Sequence, residues 1–149
     1  MNVEVTGSAI PRLSRRDIAN FTRKVLLSLE KRGHLNHEIS EVSIALIDDE
    51  SMKTLNRQFR HKNRTTDVLT FPADDTYGDP NRTSSPLGDI VISVEQAKRQ
   101  AIDEKHSLAT EIRYLILHGI LHALGHDHEG DGGEMNALEV QLREVVGLE

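Results

Sequence analysis

His118 and His122 stand four residues apart in the run His118-Gly119-Ile120-Leu121-His122-Ala123-Leu124-Gly125-His126-Asp127-His128. On a helix that spacing puts both imidazoles on one face, one turn apart and within reach of a single ion. Gly125 can end the helix with positive φ and send the chain back. His128 then arrives as a third ligand from outside the helix. Three neutral imidazoles leave the fourth tetrahedral position to water, which is the pattern of catalytic rather than structural zinc, one ion per chain. The competing reading is a helix that merely carries two polar residues. Against it stand Ile112, Leu115, Ile116, Leu117, Ile120, Leu121 and Leu124, which make the helix read as buried. An imidazole buried without a partner is costly. His126 breaks the spacing and is assigned no ligand role.

The pattern His-x-x-x-His-x-x-Gly-x-x-His has the spacing of a metzincin zinc site, with one departure. The metzincins place Glu after the first histidine as general base, and Gly119 stands there in this chain. A zinc peptidase therefore remains an alternative but lacks a base worth roughly 10²–10⁴-fold. A non-catalytic assembly factor is the other alternative, with Asp127 or Glu134 closing a structural site. A second cluster favours phosphodiester chemistry. Arg57, Arg60, Lys62 and Arg64 lie within eight residues with no acid between them. A metal can polarise a phosphoryl oxygen while a cation takes the developing charge, and the planar fork of arginine suits phosphate. Arg60 is the candidate catalytic cation. Arg57, Lys62 and Arg64 are candidate substrate-binding residues, and a solvated helix end is the plainer explanation for them. Asp67 and Asp89 could orient a histidine or cap a turn. Glu111, two turns upstream of His118, reads as half of an ion pair.

Composition narrows the classes. A chain of 149 residues can bury a real core, and 37% apolar with 28% charged residues suits a globular protein. The net charge of −6 argues against a protein that coats nucleic acid, though not against a local basic groove. Without cysteine, disulfides and thiolate zinc sites are excluded, so a metal must use His, Asp or Glu. The first residues show no basic, apolar secretory signal, and no apolar stretch is long enough to span a bilayer. A cytoplasmic protein with no membrane partner is expected.

The elements that must position these residues are legible as patterns. Val3 and Val5 alternate as in a short strand. Ser14 opens a helix, with Asp17 in a capping-box place and Ile18, Phe21, Val25, Leu26 and Leu29 as its apolar face, ending at Gly33. Val42 to Ile47 is a strand covered on both faces. Asp48 or Asp49 caps a helix carrying Met52, Leu55 and Phe59, with Phe21 and Phe59 expected in the core. Val68 to Phe71 is a strand that Pro72 stops, and residues 73–86 read as a mobile surface loop. Gly88 to Ser93 is a strand, and Ser93 caps a helix to about Glu104. Ser107 or Leu108 opens the helix that delivers the histidines. Residues 129–133 form a flexible turn. A last helix from about Glu134 buries Met135, Leu138, Leu142 and Val145. Strands and helices mix around one small sheet in a single domain over residues 1–149, an α/β (α+β) class whose strand order the sequence does not fix.

Four blocks together resemble the YbeY family of bacterial metal-dependent endoribonucleases of ribosomal RNA maturation. They are Leu55-Asn56-Arg57-Gln58-Phe59-Arg60 with Thr66-Asp67-Val68-Leu69-Thr70-Phe71-Pro72, then Leu87 to Ser93, the histidine run, and Glu134-Met135-Asn136-Ala137-Leu138-Glu139. They cover most of the chain from Val42 on, in order. The resemblance implies a zincin-like α/β fold, with a small mixed sheet packed by helices. It implies zinc, or another divalent ion, on His118, His122 and His128, from the penultimate helix and the loop after it. It further implies cleavage of single-stranded RNA in ribosomal RNA maturation, including the small-subunit 3′ end, and ribosome quality control, with small-subunit ribosomal proteins as potential partners. An arginine important to activity maps onto Arg60. His126 departs from the Tyr or Phe common in the family.

Overall fold

The computed structural model describes residues 1–35, 37–73, 84–125 and 133–148. Along the chain run β1 (Asn2–Gly7), α1 (Arg15–Lys31), β2 (Glu38–Ile39), β3 (Glu41–Ile47), α2 (Asp49–Arg60), β4 (Val68–Pro72), β5 (Ser84–Ser85) and β6 (Gly88–Ser93). Three helices follow: α3 (Val94–Asp103), α4 (Leu108–Ala123) and α5 (Glu134–Val145). The main sheet has the order β1-β3-β6-β4. The first three strands are parallel, with Val42 beside Val3 and Gly88, and β4 is antiparallel to β6 with Leu69 opposite Val91. Strand β4 is an edge, where Pro72 can close it without leaving a ladder position unfilled.

Side-chain caps set the helix starts. Ser14 and Asp17 form a reciprocal capping box at α1, each accepting the other's backbone N–H at 3.0 Å. Asp48 accepts from the Ser51 N–H at 2.7 Å to open α2, and Ser93 and Ser107 cap α3 and α4. Helix α1 ends with Gly33 at φ +78° and the His34 N–H on the Leu29 carbonyl, a left-handed stop that glycine permits.

The principal core lies between one face of the sheet and helices α1, α4 and α5, with Val42, Ile44, Leu46, Ile90 and Ile92 meeting Val25, Leu29, Ile116, Ile120 and Leu142. The opposite face carries a small cluster under α2, where Met52, Leu69 and Val91 gather Ala45, Ile47 and Leu55. Strand β3 is thus covered on both sides, as its unbroken apolar run requires. Helix α4 is the central element, touching α1, α3, α5, β4 and β6. Its residues Ile112, Ile116, Leu117, Ile120 and Leu121 are fully buried, which fits a helix apolar on most of its circumference.

Three expectations need correction. Phe59 is 60% exposed rather than in the core. It sits in the last turn of α2, beyond the small cluster, and packs edge-to-face on Phe71 at 5.2 Å. Val145 is 42% exposed, and Val146 and Leu148 are buried instead, because the chain leaves the helix there. Ser84 and Ser85 are not loop. They form β5, paired in parallel with Glu38 and Ile39 of β2. The rest of the expected loop at 74–83, and the turn at 129–132, lie outside the described residues.

Candidate functional site

Helix α4 interrupts its apolar surface with one polar stripe of Glu111, Tyr114, His118 and His122. The spacings of three, four and four residues keep all of them on one face. The two histidine rings lie with centroids 4.5 Å apart, and His118 keeps 30% of its side chain exposed. The pairing expected from their spacing is therefore formed. Gly125 takes φ +93° just after the helix, the left-handed turn expected of it. His126 and His128 lie outside the described residues. Among the described residues, no three His, Asp or Glu side chains gather as an ion site. Two imidazoles on adjacent turns, with His118 on the wall of a cleft, are nonetheless a donor pair that fits a zinc-like ion.

Two close approaches fix this face. The first is at Gly119, where a Cβ would stand 2.8 Å from Cγ2 of Ile90. Ile90 is fully buried in β6, so the missing side chain lets the sheet back directly onto the turn that carries His118. The second is from α5. Glu139, 5% exposed, places Oε1 3.9 Å from Nδ1 of His118 and 3.3 Å from a guanidinium nitrogen of Arg143. Burial pushes the Glu139 carboxyl up, but His118 and Arg143 outweigh it and hold the group below its ordinary range. A carboxylate beside one ring nitrogen of a ligating histidine fixes its orientation and leaves the other nitrogen as donor. Sequence reasoning missed Glu139. The signal available was a carboxylate at an inward position of α5, flanked by the buried Leu138 and Leu142.

A cleft of about 410 Å³ opens beside His118. Asp67, Gln100, Glu104, His106, Tyr114 and Leu115 line it, with Glu111, Glu139 and Arg143. Glu111 is 4% exposed and shares a hydrogen bond with Nε2 of His106 at 2.6 Å, a basic partner of the kind expected of it. His106 stacks on Tyr114 at 5.4 Å, and the Arg143 guanidinium lies 4.8 Å from the same ring. Asp67 lines this cleft, whereas Asp89 lines a separate hollow with Phe71 and Pro72.

The basic segment is organised by a buried residue the sequence reading did not single out. The Asn56 side chain donates to the Arg64 carbonyl at 2.8 Å, and the Asn56 backbone carbonyl accepts from the Lys62 N–H. His61 takes φ 57° between them. Arg57, Arg60, Lys62 and Arg64 are all exposed on the resulting turn. None of the four is among the residues lining the cleft beside His118. The turn is tied back through Thr65 to Asp49, which also bonds Ser93 and Arg99.

The family profile described as Endoribonuclease YbeY matches residues 5–147. An Endoribonuclease YbeY of Nautilia profundicola is 47% identical over 108 residues, 72% of this chain and 73% of that one. One from Carboxydothermus hydrogenoformans is 41% identical over 131 residues, 87% of this chain and 85% of the relative. The Myxococcus xanthus relative is longer: 44% identity over 135 residues covers 88% of this chain but 43% of that protein. A solution structure from Thermotoga maritima superposes with a TM-score of 0.62 at 25% identity, covering 97% of this chain and 88% of the other. The match takes in the α4 histidines, the basic turn and α5 alike, and the chain belongs to the YbeY family of endoribonucleases.

Proposed function

We propose that the protein is a metal-dependent endoribonuclease that cuts single-stranded RNA, with ribosomal RNA as its substrate. In this reading it matures the small-subunit 3′ end and takes part in ribosome quality control in the cytoplasm. Small-subunit ribosomal proteins would be its neighbours there. The whole chain, residues 1–149, would act as one hydrolase domain. His118, His122 and His128 would hold one zinc or similar divalent ion. Such an ion, when bound, supplies a Lewis acid for a phosphate oxygen and an acidified water.

The chain's own residues do the rest. His118 and His122 offer neutral nitrogens from adjacent turns of a rigid helix. Glu139 orients His118 from behind. Arg60 neutralises charge that develops on the phosphate, and Arg57, Lys62 and Arg64 draw in the sugar–phosphate backbone. The observation that supports this most is the pairing of the His118 and His122 rings at 4.5 Å, backed by a buried carboxylate. The test is substrate choice. Labelled single-stranded RNA, the same RNA in a duplex, and casein are offered to the metal-loaded protein. Cleavage of the single strand alone, lost on chelation, is expected. Casein digestion, or intact RNA beside a loaded site, would overturn the reading.

A further inference from the structure

Phe59 departs from the rule by which α2 buries its apolar stripe. Met52 and Asn56 are buried, and Leu55 packs on the small cluster beneath the helix. Phe59 continues that face one turn further, yet it is 60% exposed. Among the described Phe and Tyr residues it is the only exposed one: Phe21 is buried, and Phe71 and Tyr114 are half-buried. The ring is nevertheless braced. Phe71, itself packed on the cluster of Met52, Leu69 and Val91, meets it edge-to-face with the planes 77° apart. Such a contact covers at most one face of Phe59 and leaves the other to solvent.

The surroundings of that free face are cationic. Asn56, one turn before Phe59 on the same side of α2, bonds the backbone of both Lys62 and Arg64. The basic turn therefore folds back alongside the turn that carries Phe59. Arg57, Arg60, Lys62 and Arg64 are exposed there, and among the described residues no carboxylate engages any of them. A ligand that satisfies this surface must offer a flat apolar face and closely spaced anions together. An unpaired nucleotide carries both, whereas a duplex keeps its base faces stacked inside.

We infer that Phe59 is a base-stacking platform: an unpaired RNA base lies on its free face while cations of the 57–64 turn take the flanking phosphates. The inference rests on the reading of the chain as a cutter of single-stranded RNA, and it names a contact that reading did not contain. Stacking on an aromatic ring is sequence-tolerant, because every base has a π-face. Asp89, exposed on the inner strand β6, stands opposite Phe71 in the ladder and turns phosphates away from the sheet toward the cations. Strand β4, which carries Phe71, also touches α4. A strand anchored on Phe59 thus lies at the sheet edge that adjoins the histidine helix.

The test uses the full-length, metal-loaded protein and a labelled single-stranded RNA. Phe59→Ala should raise KM about 5–100-fold, the range that alanine substitution of a stacking aromatic produces, with kcat unchanged. Phe59→Trp should restore the wild-type KM, while Phe59→Leu, apolar but without a π-face, should not. The fall of log kcat/KM with log salt should keep its slope in Phe59→Ala, because no phosphate contact is lost, whereas Arg64→Ala should reduce that slope by about one. A merely structural Phe59 that props up the basic turn would reduce the slope too. A wild-type KM in Phe59→Ala or Phe59→Leu, or a reduced slope in Phe59→Ala, would overturn the platform and leave the endonuclease standing. RNA left intact by loaded wild-type protein would overturn both.

Discussion

His118 combines a turn partner in His122, a buried carboxylate beside it in Glu139, and a side chain that stays 30% exposed. Removing the imidazole of either helical histidine should abolish stoichiometric zinc, read by metal analysis. His126→Ala should leave occupancy near normal, and a large loss there would mean that the third ligand is His126 rather than His128. Glu139→Gln should keep the fold and weaken zinc about 10–100-fold in a chelator competition, the usual cost of losing such a partner. Unchanged affinity would reduce Glu139 to packing. Arg60 is a separate matter, since it is exposed and off the cleft walls. If it takes charge from the phosphate, Arg60→Ala should lower RNA cleavage by roughly 10²-fold with metal intact. Arg60→Lys should recover part, because lysine lacks the bidentate fork. Wild-type rates in Arg60→Ala would remove it from the mechanism. The histidine pair was legible because both members lie on one helix, where spacing is geometry. Glu139 was not, because its contact exists only once α5 has docked on α4.

At the scale of elements, Gly119 replaces the carboxylate a zinc peptidase would carry, and the neighbour it admits is strand β6. Gly119→Ala must displace a stiff, buried Ile90 side chain. Overpacking of this kind costs about 1–3 kcal/mol, against about 1 kcal/mol gained in helix propensity. A net loss is expected, lowering Tm by about 2–4 °C per kcal/mol at this chain length. Gly119→Glu should fall further, since it also buries a charge. A wild-type Tm in both variants would show that the approach of Ile90 is not tight. The helix caps make a second element-scale prediction. Backbone and side-chain bonds at Ser14 and Ser51 lower the Asp17 and Asp48 carboxyls below their ordinary value. The folded state then binds fewer protons than the unfolded one. These caps contribute fully above about pH 4 and are lost as pH falls through the folded values. Acid unfolding curves of Asp17→Asn and Asp48→Asn should be flatter in that range, and curves parallel to wild type would contradict the cap assignment. The caps were also what made the helices legible: Ser14, Asp48, Ser93 and Ser107 each announce a start within a few residues. Phe59 misled because its place in the apolar stripe of α2 says nothing of where the sheet beneath it ends.

Across the whole molecule, the order β1-β3-β6-β4 puts β6 beneath α4 and leaves β4 at the edge, next to the basic turn. Strand order rests on pairings between residues far apart in the chain, such as Val42 with Gly88, and local patterns carry no such information. The same arrangement separates two charge environments in a chain of net charge −6: the carboxylate-lined cleft and the exposed cations at 57–64. RNA binding should therefore weaken steeply with salt through the basic turn, while metal content does not change. The central claim is that cleavage depends on one ion held by the α4 histidines. It is tested most directly by the cleavage rate of a labelled single-stranded RNA as zinc is added back to chelated protein. The rate is predicted to rise from baseline to a plateau at one equivalent per chain, and full cleavage with no ion present would contradict it.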